Sequence, residues 1–142
     1  MSTPRLEDPR EIVVDTSALV AVVLGWPDAG AFAEAMRRHR GCAVSAASVV
    51  EAAIVVEASQ GPDAARDLDL LLDAVDALVI AVDLDQVGLA VEAWRRFGKG
   101  RHPAALNYGD CFSYALARSR EAALLFKGDD FRQTDVRAVS LT

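Results

Sequence analysis

Cysteine, histidine and aromatic residues are all scarce in this chain: two Cys, two His and 6% Phe, Trp and Tyr among 142 residues. Cys42 and Cys111 are too few for a disulfide framework and, with only two histidines, too few for a zinc cage. Any bound metal must then be a hard one held by oxygens. With so few aromatics, the core has to be built mainly from Val, Leu and Ala. No apolar run reaches the roughly 18 residues that suggest a membrane span, and residues 1–11 are too polar for a secretory leader, so a cytoplasmic protein is expected. Net positive charge is missing as well. Fifteen basic against 21 acidic residues leave −6, which at face value argues against a nucleic-acid ligand.

What is present points the other way on two counts. Hydrophobic residues make up 52% of the chain and charged residues 25%, enough for a sizeable core in a single domain spanning residues 1–142. The charge is also polarised. Seven aspartates between Asp63 and Asp85 face Arg66 alone, a net of −6, whereas Arg95, Arg96, Lys99, Arg101, Arg118 and Arg120 face only Asp110, a net of +5. A local basic surface therefore survives an acidic average.

Short apolar segments alternate with amphipathic helical stretches, and no repeat or low-complexity tract interrupts them. That pattern predicts an α/β layer fold with a mostly parallel sheet of roughly five strands. The predicted strands are residues 12–14, 42–45, 78–82, 123–126 and 136–141. The predicted helices are 17–24, 28–40, 47–60, 62–76, 85–97 and 110–120, with a loop over 99–108. Gly61-Pro62 supplies a stop between two helices.

In an open parallel sheet, sites form beyond the carboxyl ends of the strands, and four acidic positions fall there. Asp15 follows the first strand. Glu51 sits in the first turns of the helix after the second strand, in a largely apolar stretch. Asp110 opens a late helix, and Asp129-Asp130 follow the strand 123–126. Four clustered carboxylates repel one another unless a divalent cation neutralises them, and Mg²⁺ or Mn²⁺ suits such oxygen ligands. A cation so held can ionise a water and stabilise a phosphodiester being cut. Each acid also has an ordinary structural reading. Asp15 and Asp110 fit helix N-terminal positions, and Gly128-Asp129-Asp130 fits a polar turn. Glu51 is harder to explain away, because charged groups are almost never fully buried unless paired and its helical neighbours Ser48, Ile54 and Val55 suggest a largely apolar face.

The ordered set of segments Val14-Asp15-Thr16-Ser17-Ala18-Leu19, Ala47-Ser48-Val49-Val50-Glu51-Ala52-Ala53, Leu106-Asn107-Tyr108-Gly109-Asp110-Cys111-Phe112-Ser113-Tyr114-Ala115-Leu116-Ala117 and Leu124-Leu125-Phe126-Lys127-Gly128-Asp129-Asp130-Phe131 resembles the PIN-domain ribonucleases, specifically the VapC-type toxins of toxin–antitoxin pairs. The resemblance implies a three-layer α/β/α fold and an endoribonuclease using Mg²⁺ or Mn²⁺. It further implies that Asp15, Glu51 and Asp110 are metal ligands, with Asp130 as the fourth acid, Asp129 as its alternate, and Ser17 helping to place water. A cognate VapB-type antitoxin and a homodimer are implied too. The ten-residue lead before the first strand departs from the family's usual start, and residues 1–11 read as a flexible tail or a misassigned start.

Lys99 and Arg101 are candidates to touch RNA phosphates, with an ordinary solvated basic loop as the competing reading. His39 and His102 have no ligand spacing, and Cys111 reads as a small hydrophobe. Trp26 and Trp94 read as packing or interface anchors. Two other classes use an Asp after a first strand. A phospho-acceptor receiver domain wants an acidic pair there, and only Asp15 is present. A haloacid-dehalogenase-like phosphatase wants Asp-x-Asp, and position 17 is Ser. An inactive PIN-like binding module remains if the carboxylates fail to converge.

Overall fold

The structure, a computed structural model, describes residues 8–141. Four strands, β1 (Asp8–Val14), β2 (His39–Ser45), β3 (Leu78–Ile80) and β4 (Ala123–Leu125), form one parallel sheet in the order β3-β2-β1-β4. Six helices connect them: α1 (Thr16–Val23), α2 (Ala29–Arg38), α3 (Ala46–Gln60), α4 (Pro62–Ala74), α5 (Leu84–Phe97) and α6 (Tyr108–Ser119). A short 3-10 helix covers Asp130–Gln133.

Strand alternation sorts the helices into layers. Ile12 and Val14 of β1, with Cys42 and Val44 of β2, face one core together with Leu19, Phe32, Met36, Ala52, Val56 and Leu68 of α1 to α4. Val13 and Ala43 face the other core with Ala93, Phe97, Tyr114 and Leu116 of α5 and α6. This is the period-2 pattern of a strand buried on both faces, and it explains why the strands read as unbroken apolar runs. Leu68 is fully buried, so Leu68→Ala would cost about 2–5 kcal/mol through the cavity it leaves.

Two of the sequence expectations need correction. The fifth strand over 136–141 is not formed. Ala138 makes only an isolated bridge to Leu124, with Leu124 N–H donating to Arg137 and Val139 N–H donating to Leu124, so the segment follows β4 without becoming a strand of the sheet. Residues 8–11 are not a tail but part of β1, where a register shift lies between Asp8 and Glu11. The expectation for residues 1–7 lies outside the described residues.

Two local features set where helices begin and end. Gly61, at φ +85°, ends α3 and is followed by Pro62 in the first turn of α4, so the two helices meet across a tight, rigid turn. Helix α6 begins two residues before the expected 110, because Asn107 and Asp110 form a reciprocal capping box: Asp110 N–H donates to Asn107 Oδ1 at 2.9 Å and Asn107 N–H donates to Asp110 Oδ2 at 3.0 Å.

Strand order reverses at β1, which has β2 on one side and β4 on the other. The crevice beyond their carboxyl ends is where such a fold collects a site. No helix among the described residues is long and apolar enough to cross a membrane.

Candidate functional site

Asp15 sits at the mouth of that crevice. Its N–H donates to Leu125 O of β4 at 2.9 Å, and its side chain caps α1, so the capping role and the site role fall on the same residue. Only 3% of Asp15 is exposed. Such a burial is tolerable for a carboxylate only because its oxygens are satisfied. Oδ2 accepts from Ser17 N–H at 3.0 Å and from Ser17 Oγ at 2.7 Å, and Oδ1 accepts from Ser113 Oγ at 2.5 Å. Ser17 Oγ in turn accepts from Lys127 N–H at 2.9 Å, which ties the loop after β1 to the loop after β4. That second loop is held again by Lys127, whose ammonium pairs with Asp28 at 2.5 Å and lies 5.3 Å from the centre of the Trp26 ring.

Glu51 reaches the site from α3. It is half-buried, but not for the reason the sequence suggests. Val50, Ile54 and Val55 are exposed, and the fully buried stripe of α3 is Ser48, Ala52 and Val56, with Val49 and Ala53 packed beside it. What places the Glu51 carboxylate is Gly109. A Cβ built on Gly109 would stand 2.5 and 2.6 Å from the two Glu51 oxygens, so the carboxylate occupies the space a side chain at 109 would need. It thereby lies against the first turn of α6, beside Asp110, where the helix dipole favours negative charge.

Asp110 shows the electrostatics of the group most clearly. Its carboxyl is pushed up to about 7, chiefly by burial, with Asp15, Asp130 and Glu51 adding repulsion and the Asn107 N–H partly opposing the rise. Acids from three other segments thus act on Asp110. Asp130 is exposed at the start of the 3-10 helix, and it is Asp130, rather than Asp129, whose charge is felt at Asp110. Asp129 turns to solvent and lies 3.7 Å from Arg132. Among the described residues, no three His, Cys, Asp or Glu side chains are closed up into a ready-made ligand cage. The donor set is nevertheless all oxygen, partly buried and self-repelling, which fits a hard divalent cation and does not fit a soft one.

Lys99 and Arg101 lie in the loop between α5 and α6. Arg101 lies over the Trp94 ring at 4.6 Å and its Nε donates to Arg95 O, while Lys99 lines an apolar groove of about 660 Å³ with Trp94, Tyr108 and Phe112. The imidazole of His102 accepts from Ala104 N–H and stacks edge-on with Phe97, a structural role. Burial raises the Cys111 thiol to about 11, as befits a packing residue.

Three site residues lie outside the sequence reading: Ser48, Gly109 and Ser113. The available signal is a small polar or absent side chain beside each helical acid, with Ser48 and Ser113 one helical turn from Glu51 and Asp110 and Gly109 immediately before Asp110.

Residues 12–137 match the family described as PIN domain. Ribonuclease VapC of Mycolicibacterium smegmatis is 51% identical over 90% of this chain and 99% of its own length. Ribonuclease VapC30 of Mycobacterium tuberculosis is 48% identical over 92% of this chain and 99% of its own. Among solved structures, VapC20 of Mycobacterium tuberculosis, described as a sarcin–ricin-loop-cleaving toxin, superposes with a TM-score of 0.75 at 19% identity, covering 90% of this chain and 98% of that one. A toxin–antitoxin complex from Klebsiella pneumoniae gives 0.69 at 17% identity, covering 92% and 98%. At that level of identity the structures establish the fold alone. The chain belongs to the PIN-domain family and, within it, to the VapC-type ribonuclease toxins. That membership sets aside the receiver-domain and dehalogenase-like readings of Asp15.

Proposed function

We propose that this protein is a toxin-type endoribonuclease that cuts RNA phosphodiester bonds with water, at a Mg²⁺ or Mn²⁺ ion held by Asp15, Glu51, Asp110 and Asp130. The observation that carries this reading is the half-buried Asp110 carboxyl, raised to about 7 chiefly by desolvation, with the charges of Asp15, Asp130 and Glu51 adding to the rise. A cation bound there would lower the pKa of water and offset charge building on the scissile phosphate. The protein's own part is to orient and to exclude. Asp15 is fixed by Ser17 and Ser113, and Glu51 is fixed by the space above Gly109. Asp110 must give up its proton before it can ligate, since a protonated carboxyl is a poor ligand. Asp130 enters from the loop after β4, whose position Ser17 and Lys127 hold. Lys99 and Arg101 supply backbone contacts that bind without reading sequence.

Two partners follow from the same reading. Relatives solved as toxin–antitoxin complexes support a VapB-type antitoxin for this chain. The exposed apolar residues Val50, Ile54 and Leu70 beside the aspartates of α4 suit an amphipathic basic segment. A homodimer is supported by Val87, Val91 and Trp94, exposed at helical spacing along α5.

A covalently closed single-stranded RNA tests the activity directly. An endonuclease using water linearises the circle in Mg²⁺ and leaves no 2′,3′-cyclic phosphate. An intact circle in Mg²⁺, or a cyclic phosphate end, contradicts the reading.

A further inference from the structure

Helices α3 and α6 share a pattern that the four acids alone do not explain. Each carries a buried serine one turn after or before its acid: Ser48 precedes Glu51 on α3, and Ser113 follows Asp110 on α6. The two serines meet, Oγ to Oγ, at 3.2 Å. Ser113 is wholly buried and Ser48 is 1% exposed, so neither hydroxyl has water to fall back on. Ser113 Oγ also lies 2.5 Å from Asp15 Oδ1.

The direction of this chain is fixed by proton count. A hydroxyl has one proton to give. Ser113 Oγ donates to Asp15 Oδ1, which spends its one proton, so Ser48 must donate to Ser113. The contact is thus a directed relay, Ser48 to Ser113 to Asp15, joining α3, α6 and the end of β1. Thr16 reinforces it from below, its Oγ1 donating to Ser48 O at 3.4 Å. Because Ser48 and Ser113 lie one turn from Glu51 and Asp110, their contact also sets how closely the two helices cross, and so the separation of the two acids.

We propose that Ser113, backed by Ser48, is a positioning residue that orients the Asp15 carboxylate for the metal and keys the α3–α6 crossing that spaces Glu51 from Asp110. This rests on the carboxylate metal site proposed above. Ser17 holds the other Asp15 oxygen from within the same loop, whereas Ser113 is the one side chain, among the described residues, bonded to Asp15 from across the fold. Hydroxyls that orient a ligating carboxylate behave as outer partners of a metal site, whose loss costs about 10–100-fold in metal affinity.

The test is Mn²⁺ binding by the full chain, titrated by electron paramagnetic resonance, beside melting curves in EDTA that establish each variant is folded. Ser113→Ala should weaken Mn²⁺ binding about 10–100-fold. Ser48→Ala should weaken it less, because Ser113 still donates to Asp15. The double variant should match Ser113→Ala, since Ser48 acts only through Ser113. Wild-type affinity in folded Ser113→Ala, with Asp110→Asn failing to bind, overturns the relay while leaving the metal site standing. Additive losses from the two serines overturn the directed chain. Failure of the wild type to bind Mn²⁺ overturns both the relay and the metal site.

Discussion

Gly109 and Glu51 share one volume: a methyl group on the first would stand 2.5 Å from a carboxylate oxygen of the second. The glycine is needed here for space and not for backbone freedom, and the atoms in its way belong to the end of a flexible side chain. Gly109→Ala should therefore fold. It gains about 1 kcal/mol of helix propensity and swings the Glu51 carboxylate out of the site. We expect melting in EDTA within a few degrees of wild type and RNA cleavage down about 10–100-fold, the scale of a displaced metal partner. Undiminished cleavage would show that Glu51 is not needed where it stands.

Asp15→Asn and Asp110→Asn should both abolish cleavage, yet shift metal-free stability in opposite directions. Repulsion alone would make both variants more stable. Asp110 follows that rule, because its charge is opposed by burial and by three acids, and an amide oxygen still accepts from Asn107 N–H. Asp15 does not, because both of its oxygens accept hydrogen bonds and an amide can replace only one of them. Losing a buried, charge-assisted bond costs about 1.5–3 kcal/mol. Melting temperatures in EDTA above pH 7 should rank Asp110→Asn above wild type and wild type above Asp15→Asn.

The raised Asp110 carboxyl also fixes a pH dependence. Its ordinary value is 3.8 and its folded value about 7, so between those limits the unfolded chain has released a proton that the folded chain keeps. Folding then binds protons, and metal-free stability attributable to this group is intact below about pH 4 and is lost as pH rises through 7. Metal binding runs the other way, because the proton must leave first, and affinity for Mn²⁺ should climb as pH rises towards 7. The difference in melting temperature between Asp110→Asn and wild type in EDTA should grow over pH 4.5 to 7.5. A constant difference would show that Asp110 titrates normally.

Much of this arrangement can be read from the residues because strand ends and acids coincide in the chain. Asp15 directly follows the apolar Ile12-Val13-Val14, and Asp130 follows Leu124-Leu125-Phe126. Period-2 burial on both sheet faces makes those strands plain. The segment 136–141 misleads because an apolar alternation of that length suits a strand, whereas here it makes only one bridge to Leu124. Glu51 stands out in the sequence for a reason the fold does not support. Its apolar neighbours Ile54 and Val55 are exposed, and the space above Gly109, 58 positions along the chain, is what defines its place. Ser113 reaches Asp15 across 98 positions, and no local pattern reports such a bond.

Neutralising Lys99 and Arg101 together should flatten the salt dependence of RNA binding, by about 0.7 in the log–log slope for each single-strand phosphate that is no longer neutralised. Arg101 is already engaged with Trp94 and Arg95 O, so Lys99→Gln alone should account for most of the change. Binding measured in an Asp110→Asn background separates this from cleavage. An unchanged slope would move the RNA path elsewhere, towards Arg37, Arg38 and Arg40.

The most direct test of the four-acid site is cleavage of one defined RNA by the purified protein across a Mg²⁺ titration, beside EDTA and beside Asp110→Asn. Cleavage that rises with Mg²⁺, vanishes in EDTA and is absent from the folded Asp110→Asn variant at every Mg²⁺ concentration is the predicted result. Cleavage that persists in EDTA, or full cleavage by Asp110→Asn at matched Mg²⁺, would contradict it.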